Sequence, residues 1–574
     1  MATSSIQKKD DVSIVLCGEA GQGIQTVEQI LTRVLKLSGF NIFGTKEYMS
    51  RVRGGSNSTQ IRVSSRNVSS ALDRIDILIP LDKKALQHVA KRLSPDTIIM
   101  GGKDEIVGKN DNGDFSVIDI PFSQIASDIG GRVYSNTVAT GVIAGLFKVD
   151  RNDFLNYVTT FFSNEKKEII EKNREAATKG YEIAQELIDS GTVDINIKKD
   201  PGAAQDILIN GAEAVGIGAI AGGCNFISSY PMSPATAVLV FLSRHGEEFD
   251  IVAEQAEDEI SAINMALGAW YAGARAMVTT SGGGFALMEE AVGLAGMLES
   301  PVVIHLAQRP GPATGLPTRT EQGDLQLALY SGHGEFPRII FAPGKLEDAV
   351  SLSSMAFDLA DKYQIPVFIL TDQYLMDSYY NMSSLPLSDT RVVKHIVKTD
   401  KRYKRYALTK NGISPRGVPG FGSGLVSVDS DEHDEEGHIT EDLDLRVKMV
   451  NKRLAKLKEI EKDAIPPELV GRDDYTALIV GWGSTYHTIK EALGYLKRDN
   501  VSFLHFKQVF PLHRKTQDYL KKAQKVIMIE GNATAQFGHL INRQTGFTIQ
   551  HNILKYNGLQ FSVEEIVEQL EPLL

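Results

Sequence analysis

Two short stretches carry residue types that could do chemistry. Tyr230-Pro231-Met232-Ser233-Pro234 presents a hydroxyl between two prolines, which fix φ and push the residues before them into extended conformations. Further on, Glu254-Gln255-Ala256-Glu257-Asp258-Glu259 is a burst of carboxylates that opens a segment rich in small residues. A stiff loop holding a hydroxyl, beside a carboxylate entering a crowded helix interface, could grip an organic cofactor. Helical geometry separates the acids. Stepping from Glu259 by three and four reaches Ala262, Ala266, Ala269 and Gly273, a face that lets a backbone or a flat ring come close. Ile260, Ile263, Leu267 and Trp270 form an adjacent apolar face, and Glu257, Ser261 and Asn264 a polar one. Glu259 is therefore the expected buried carboxylate and Glu257 the solvated one. Taken alone, the same acids could simply favour a helix amino terminus.

A third stretch, Arg309 to Arg319, contains three prolines and two glycines and so predicts a loop of fixed shape, with Arg309, Thr314, Thr318 and Arg319 as polar projections. A fixed guanidinium suits a carboxylate ligand; plain loop structure is the alternative. Near the amino terminus, Gly18-x-x-Gly21-x-Gly23 at a strand-to-helix turn could cradle a phosphate. Its spacing is not that of the dinucleotide fingerprint, and a structural tight turn is the simpler explanation. Arg51 and Arg53 precede a glycine pair and could meet phosphates or a carboxylate, or stand in a solvated loop.

The elements that must position these residues alternate between short apolar strands and helices, which predicts an α/β chain with several parallel sheets. Ser13–Cys17, Ile75–Pro80 and Thr97–Met100 are strand patterns of a first domain, 1–195. A polar, breaker-rich junction falls near 195–204. Arg275–Thr280, Pro301–Leu306 and Ile365–Leu370 predict central strands of a second domain, 205–385, in which Ser281-Gly282-Gly283-Gly284 links strand to helix. Residues 386–472 break the pattern: 409–438 are rich in Gly, Pro, Ser, Asp and His, and a charged helix follows over Leu443–Ile465. This predicts a surface excursion or flap. Alternation returns in 473–574, with strands at Ala477–Val480, Val501–Leu504 and Lys525–Ile529.

Bulk properties exclude several function classes. The chain has 574 residues, enough for roughly three or four domains. Its net charge of −11 argues against nucleic acid or an anionic membrane as the main partner. No run of about 18 apolar residues predicts a membrane span, and the first residues lack the apolar core of a signal peptide, so a cytoplasmic location is expected. The only cysteines, Cys17 and Cys224, are far apart and cannot by themselves hold an iron–sulfur cluster. No metal site is expected on this chain. It also lacks a GxSxG elbow, a Walker A loop, an HExxH helix and the Gly-Asp-Gly…Asn-Asn grip on Mg²⁺ and diphosphate. It reads as half an active site.

Together these residues resemble the 2-oxoacid:ferredoxin oxidoreductase family, in the arrangement with a gamma-type domain fused in front of the alpha subunit (the 2-oxoglutarate:ferredoxin oxidoreductase-like layout). Gly18–Gly23 and Arg53-Gly54-Gly55 are similar to the gamma-domain signatures; Tyr230–Pro234 to the YPITP loop; Glu257–Glu259, Thr280–Met288 and Gln308–Thr318 to the alpha pattern; and Glu530–Gln536 to a transketolase C-terminal-like domain. The resemblance covers nearly the whole chain. It implies a gamma-type domain, a pyrimidine-binding domain of the thiamine diphosphate type, the excursion, and the transketolase C-terminal-like domain. It also implies thiamine diphosphate shared with a separate beta subunit that brings Mg²⁺ and a [4Fe–4S] cluster, CoA as co-substrate, ferredoxin as acceptor, and an (alpha-beta)₂ assembly.

By the same resemblance Glu259 would hydrogen-bond N1′ of the aminopyrimidine as its acid/base partner, with Pro231 also at the cofactor. Ser233 would donate to the substrate, Arg309 would bind the 2-oxoacid carboxylate and Thr318 would assist. Gly21, Gly23, Arg51 and Arg53 would serve the CoA side. Met232-Ser233 stands where the family has Ile-Thr, Gly283 where proline is frequent and Ala20 where glycine is frequent. The fused layout favours 2-oxoglutarate. Pyruvate or branched-chain 2-oxoacids, and a non-catalytic binding subunit of the same fold, are the alternatives.

Overall fold

The computed structural model describes residues 10–19, 24–49, 55–106, 115–387 and 392–574. Gly21, Gly23, Arg51 and Arg53 lie outside the described residues. The chain forms two compact units, one of the described residues up to Ile209 with Ser378–Ser384 and Ser562–Glu565, the other of the remainder.

The first unit holds an eight-stranded sheet, in the order Ser116–Asp119, Ile98–Gly101, Ile77–Pro80, Asp11–Glu19, Ser56–Ser64, Asn41–Glu47, Tyr379–Met382, Ile207–Asn210. The expected apolar strands are present and pair in parallel. The centre of the sheet differs from an all-parallel expectation, because Ser56–Ser64 runs antiparallel to both Asp11–Glu19 and Asn41–Glu47. Its sequence, Ser-Asn-Ser-Thr-Gln-Ile-Arg-Val-Ser, is mostly polar and gives no apolar run, yet Thr59, Gln60 and Arg62 are buried. Their polar groups are satisfied inside the sheet: Arg62 Nε donates to Asp11 Oδ2 at 2.8 Å and Gln60 Nε2 to Ser13 Oγ at 2.8 Å.

The second unit holds two sheets. One has seven strands, in the order Gln508–Phe510, Ile339–Phe341, Pro366–Asp372, Val302–Gln308, Ala276–Thr280, Phe226–Ser229, Val252–Gln255, all parallel except the first pair. Its central strands are continuous buried runs, as parallel strands covered on both faces require. The other has five, Glu468–Val470, Val501–Phe506, Ala477–Trp482, Lys525–Glu530 and His551–Leu554, parallel beyond the first pair.

The 386–472 excursion, expected on the surface and possibly as a flap, turns several charged residues inward. Its helix, Leu443–Lys462, buries Lys452, Arg453 and Lys456 together with Met449 and Ile460. Arg405 and Arg416 are buried as well. Among the described residues no helix is long and apolar enough to cross a membrane.

Candidate active site

Four loops leave the carboxyl ends of four neighbouring strands in the seven-stranded sheet, the place where open α/β sheets bind ligands. Ser229 leads to Ser233, Gln255 to Glu259, Thr280 to the glycines and Gln308 to Arg309. Below them a polar chain crosses the strands. Ser229 Oγ donates to Thr279 O at 2.5 Å, and His305 sits between Thr279 Oγ1 (2.7 Å) and Thr371 Oγ1 (2.9 Å). Burial pushes the His305 imidazole down to about 3, so it is neutral and structural.

Glu259 is the first residue of the helix Glu259–Tyr271 and is 3% exposed, whereas Glu257 is exposed. Asp258 is the N-cap, its side chain accepting from Ser261 N at 2.8 Å. The three acids thus divide into a solvated one, a cap and a buried one. Ala262, Ile263, Ala266, Leu267 and Trp270 are buried as expected; Ile260 is not, with 50% exposure. The Oε1 atom of Glu259 is buried without a hydrogen-bond partner. The turn Gly282–Phe285 presses against it, since a Cβ on Gly284 would overlap both Glu259 Oε1 and Thr280 Oγ1.

Arg309 NH1 donates to Ser233 O at 2.8 Å, which locks the arginine to the proline loop. Its Nε is buried with no partner. Burial pulls the guanidinium below its ordinary range, and Asp324 and then Glu259 oppose that shift by their charge. Ser233 is half-buried, and its hydroxyl has no hydrogen-bond partner among the described residues. Pro231 is half-buried in the same loop. The structure therefore joins Glu259, Ser233 and Arg309 in one cluster. Thr318 stands half-buried at the far end of the Arg309 loop.

Sequence reasoning missed Asp324. A Cβ on Gly282 would fall 2.5 Å from both of its carboxylate oxygens, and its Oδ2 is buried without a partner. Asp324 N donates to Gln308 Oε1 at 3.0 Å, which ties it to the last residue of the strand that leads into Arg309. The carboxyl-terminal sheet fixes the rest of its loop. Gln322 Nε2 donates to Trp482 O at 2.9 Å, Gly531 N to Gln322 Oε1 at 2.8 Å, and Gln536 Nε2 to Gly323 O at 2.8 Å. Burial pushes the Asp324 carboxyl up to about 7, with Glu321 adding and Arg309 opposing. The available signal was an acid three residues after another within a breaker-rich loop, too common a pattern to single it out. The two thiols play no part here: both are buried, and burial pushes each up to about 12.

Comparison with known proteins gives the family. Residues 217–452 match the family described as "Pyruvate flavodoxin/ferredoxin oxidoreductase, thiamine diP-bdg", and residues 13–183 match "Pyruvate ferredoxin/flavodoxin oxidoreductase". The chain is 32% identical to the 2-oxoacid:ferredoxin oxidoreductase subunit alpha of a Sulfolobus species, over 97% of this chain and 96% of that one. It is 28% identical to the 2-oxoglutarate oxidoreductase subunit KorA of Mycobacterium tuberculosis, over 98% and 91%. Among solved structures it is similar to the 2-oxoglutarate:ferredoxin oxidoreductase from Magnetococcus marinus with 2-oxoglutarate, coenzyme A and succinyl-CoA bound. That match has a TM-score of 0.91 and 30% identity, and it covers 98% of this chain and all of that one. The chain belongs to the 2-oxoacid:ferredoxin oxidoreductase family, as an alpha subunit with a gamma-type region in front of its thiamine diphosphate-binding domain.

Proposed function

We propose that this chain forms the pyrimidine side of a thiamine diphosphate site. With a separate beta subunit it would carry out the CoA-dependent oxidative decarboxylation of 2-oxoglutarate to an acyl-CoA, with electrons passing to ferredoxin. The observation that carries this is the buried, partnerless Oε1 of Glu259 against a glycine turn with no room for a side chain. A buried polar atom left unpaired is costly unless a ligand pairs it. An aminopyrimidine suits such an atom: its ring nitrogen would meet Oε1, which the close-packed turn at Gly284 holds in place.

Bound there, thiamine diphosphate supplies the electron sink for loss of the substrate carboxyl group. The chain's own residues have the following work. Glu259 would hold the pyrimidine through N1′ and exchange a proton at that atom. Arg309, already anchored on Ser233 O, would bind the 2-oxoacid carboxylate, and the unpaired Ser233 hydroxyl would donate to the substrate. Thr318 would assist from the same loop and Pro231 would line the cofactor. On the first unit, Gly21, Gly23, Arg51 and Arg53 would serve CoA.

Mg²⁺, the diphosphate grip and the [4Fe–4S] cluster would come from the beta subunit in an (alpha-beta)₂ assembly. Exposed apolar side chains beside the site, namely Tyr230 (40%), Ile260 (50%) and Leu287 (52%), support a protein partner over this face. The Magnetococcus marinus and Mycobacterium tuberculosis relatives support 2-oxoglutarate over other 2-oxoacids.

Reconstitution tests the reading. The chain is purified with its beta partner, and CoA-dependent dye reduction is followed with 2-oxoglutarate, pyruvate and branched-chain 2-oxoacids. The expected result is the highest kcat/KM with 2-oxoglutarate. A higher value with pyruvate would overturn the substrate assignment, and no turnover with any 2-oxoacid would overturn the catalytic one.

A further inference from the structure

The three-glycine turn separates two acids. Gly284 abuts the Glu259 carboxyl, and Gly282, two residues earlier, abuts that of Asp324. Each acid keeps one buried oxygen without a hydrogen-bond partner, and Arg309 feels the charge of both, Asp324 more strongly. Asp324 cannot drift from this seat. Its backbone is tied to Gln308, and its neighbours Gln322 and Gly323 are tied to Trp482, Gly531 and Gln536. The loop is held by these four contacts, while the carboxylate it delivers is left partly unsatisfied.

We propose that Asp324 is a positioning residue for the 2-oxoacid: seated against Gly282 and beside Arg309, it sets the charge and orientation that Arg309 offers to the substrate carboxylate. This rests on the reading of Arg309 as the carboxylate ligand. The charged groups acting on Asp324 are Glu321 on its own loop and Arg309 just past the strand end, and Glu259 acts on Arg309 in turn; Gln308, Gln322 and Gln536 are neutral. With its carboxyl pushed up to about 7, Asp324 changes charge close to neutral pH. Below that point it is neutral, and Arg309 meets the substrate unopposed. Above it the ionised carboxylate competes with the substrate for the same guanidinium. Affinity for the 2-oxoacid therefore falls as pH rises.

The test compares wild-type and Asp324→Asn complexes with the beta partner from about pH 6 to about pH 8. It reads KM and kcat for 2-oxoglutarate and, by calorimetry, the Kd of 2-oxoglutarate for the resting complex. In the wild type, KM and Kd rise with pH by up to about tenfold per unit above the transition, the limit for a single proton. In Asp324→Asn both stay at their low-pH values while kcat changes by less than about threefold, the split expected when ground-state binding alone is altered. Gly282→Ala provides a second variant. It keeps the charge but displaces it toward solvent, so the pH transition persists and moves lower. An Asp324→Asn complex that keeps the wild-type slope, or a Gly282→Ala complex with an unmoved transition, overturns the proposal. Arg309→Ala separates the two possible failures. If it keeps wild-type affinity, the reading of Arg309 is wrong; if it loses affinity while Asp324→Asn keeps its slope, only the role of Asp324 is wrong.

Discussion

Glu259 and Glu299 are both glutamates of the second unit, exposed by only 3% and 1%, yet the protein treats them in opposite ways. Glu299 lies just past the helix Glu289–Leu298, and although its Oε2, like Glu259 Oε1, accepts no hydrogen bond, a lysine ammonium stands against each of its carboxylate oxygens. Lys452 Nζ sits 2.5 Å from one carboxylate oxygen and Lys456 Nζ 2.6 Å from the other, while Arg405 NH2 donates to its backbone carbonyl at 2.7 Å. Burial alone would push the Glu299 carboxyl up, but Lys456, Lys452 and Arg405 outweigh it and hold the group well below the usual carboxylate range. Glu259 is given a cap beneath it and a glycine turn above it, and one oxygen is left bare. A buried acid whose charge is met from all sides fastens the excursion to the core. A buried acid left short of a partner on a rigid support is kept for something that arrives.

This contrast can be broken from either side. The largest effect is expected at the fastened acid. Glu299→Ala strands two lysines in the interior and costs about 3–5 kcal/mol of unfolding free energy in urea. Adding Lys452→Met and Lys456→Met restores much of that loss, because the unpaired charges go with it. Since the folded Glu299 carboxyl titrates below its unfolded counterpart, its contribution is complete above the ordinary carboxylate range and is lost as pH falls through the folded value. A wild-type melting curve that shows no acid-side loss beyond that of the triple variant would contradict the pairing.

Next in size is Gly284→Ala. Its methyl group would press on Glu259 Oε1 and Thr280 Oγ1. Displacing a catalytic group by about an ångström typically costs on the order of 10²-fold, so kcat/KM should fall by about that much with little change in melting temperature. If stability collapses and the surviving activity per folded molecule is normal, the turn is merely structural. The smallest effect is at the cap: Asp258→Ala should cost about 1 kcal/mol of stability and lower activity less than Gly284→Ala. A loss of activity equal to that of Gly284→Ala would mean that the carboxylates are not divided as described.

Much of this site was legible because its parts are local. Prolines at 231 and 234, the three glycines and the step from Glu257 to Glu259 announce themselves over a few residues, and helical spacing was enough to choose Glu259. What depended on contacts distant in sequence was not legible. Asp324 matters because of where Gly282 and Arg309 stand, and its loop is set by Trp482, Gly531 and Gln536. The charged face of Leu443–Lys462 suggested solvent, yet Lys452 and Lys456 turn inward to meet Glu299, and Arg453 to meet Glu432. Ile260 suggested core and stands in the open. Strand Ser56–Ser64 hid behind polar residues whose partners, such as Asp11, lie on another strand.

The central claim, that Glu259 is the acid kept for a ligand, is tested most directly by comparing two neighbouring amides. In the complex with the beta partner, Glu259→Gln and Glu257→Gln are assayed for thiamine diphosphate- and CoA-dependent dye reduction with 2-oxoglutarate. Loss of an acid/base partner predicts a fall of roughly 10²–10⁴-fold in kcat for Glu259→Gln, and turnover within about twofold of wild type for Glu257→Gln. Equal turnover by the two variants would contradict the account.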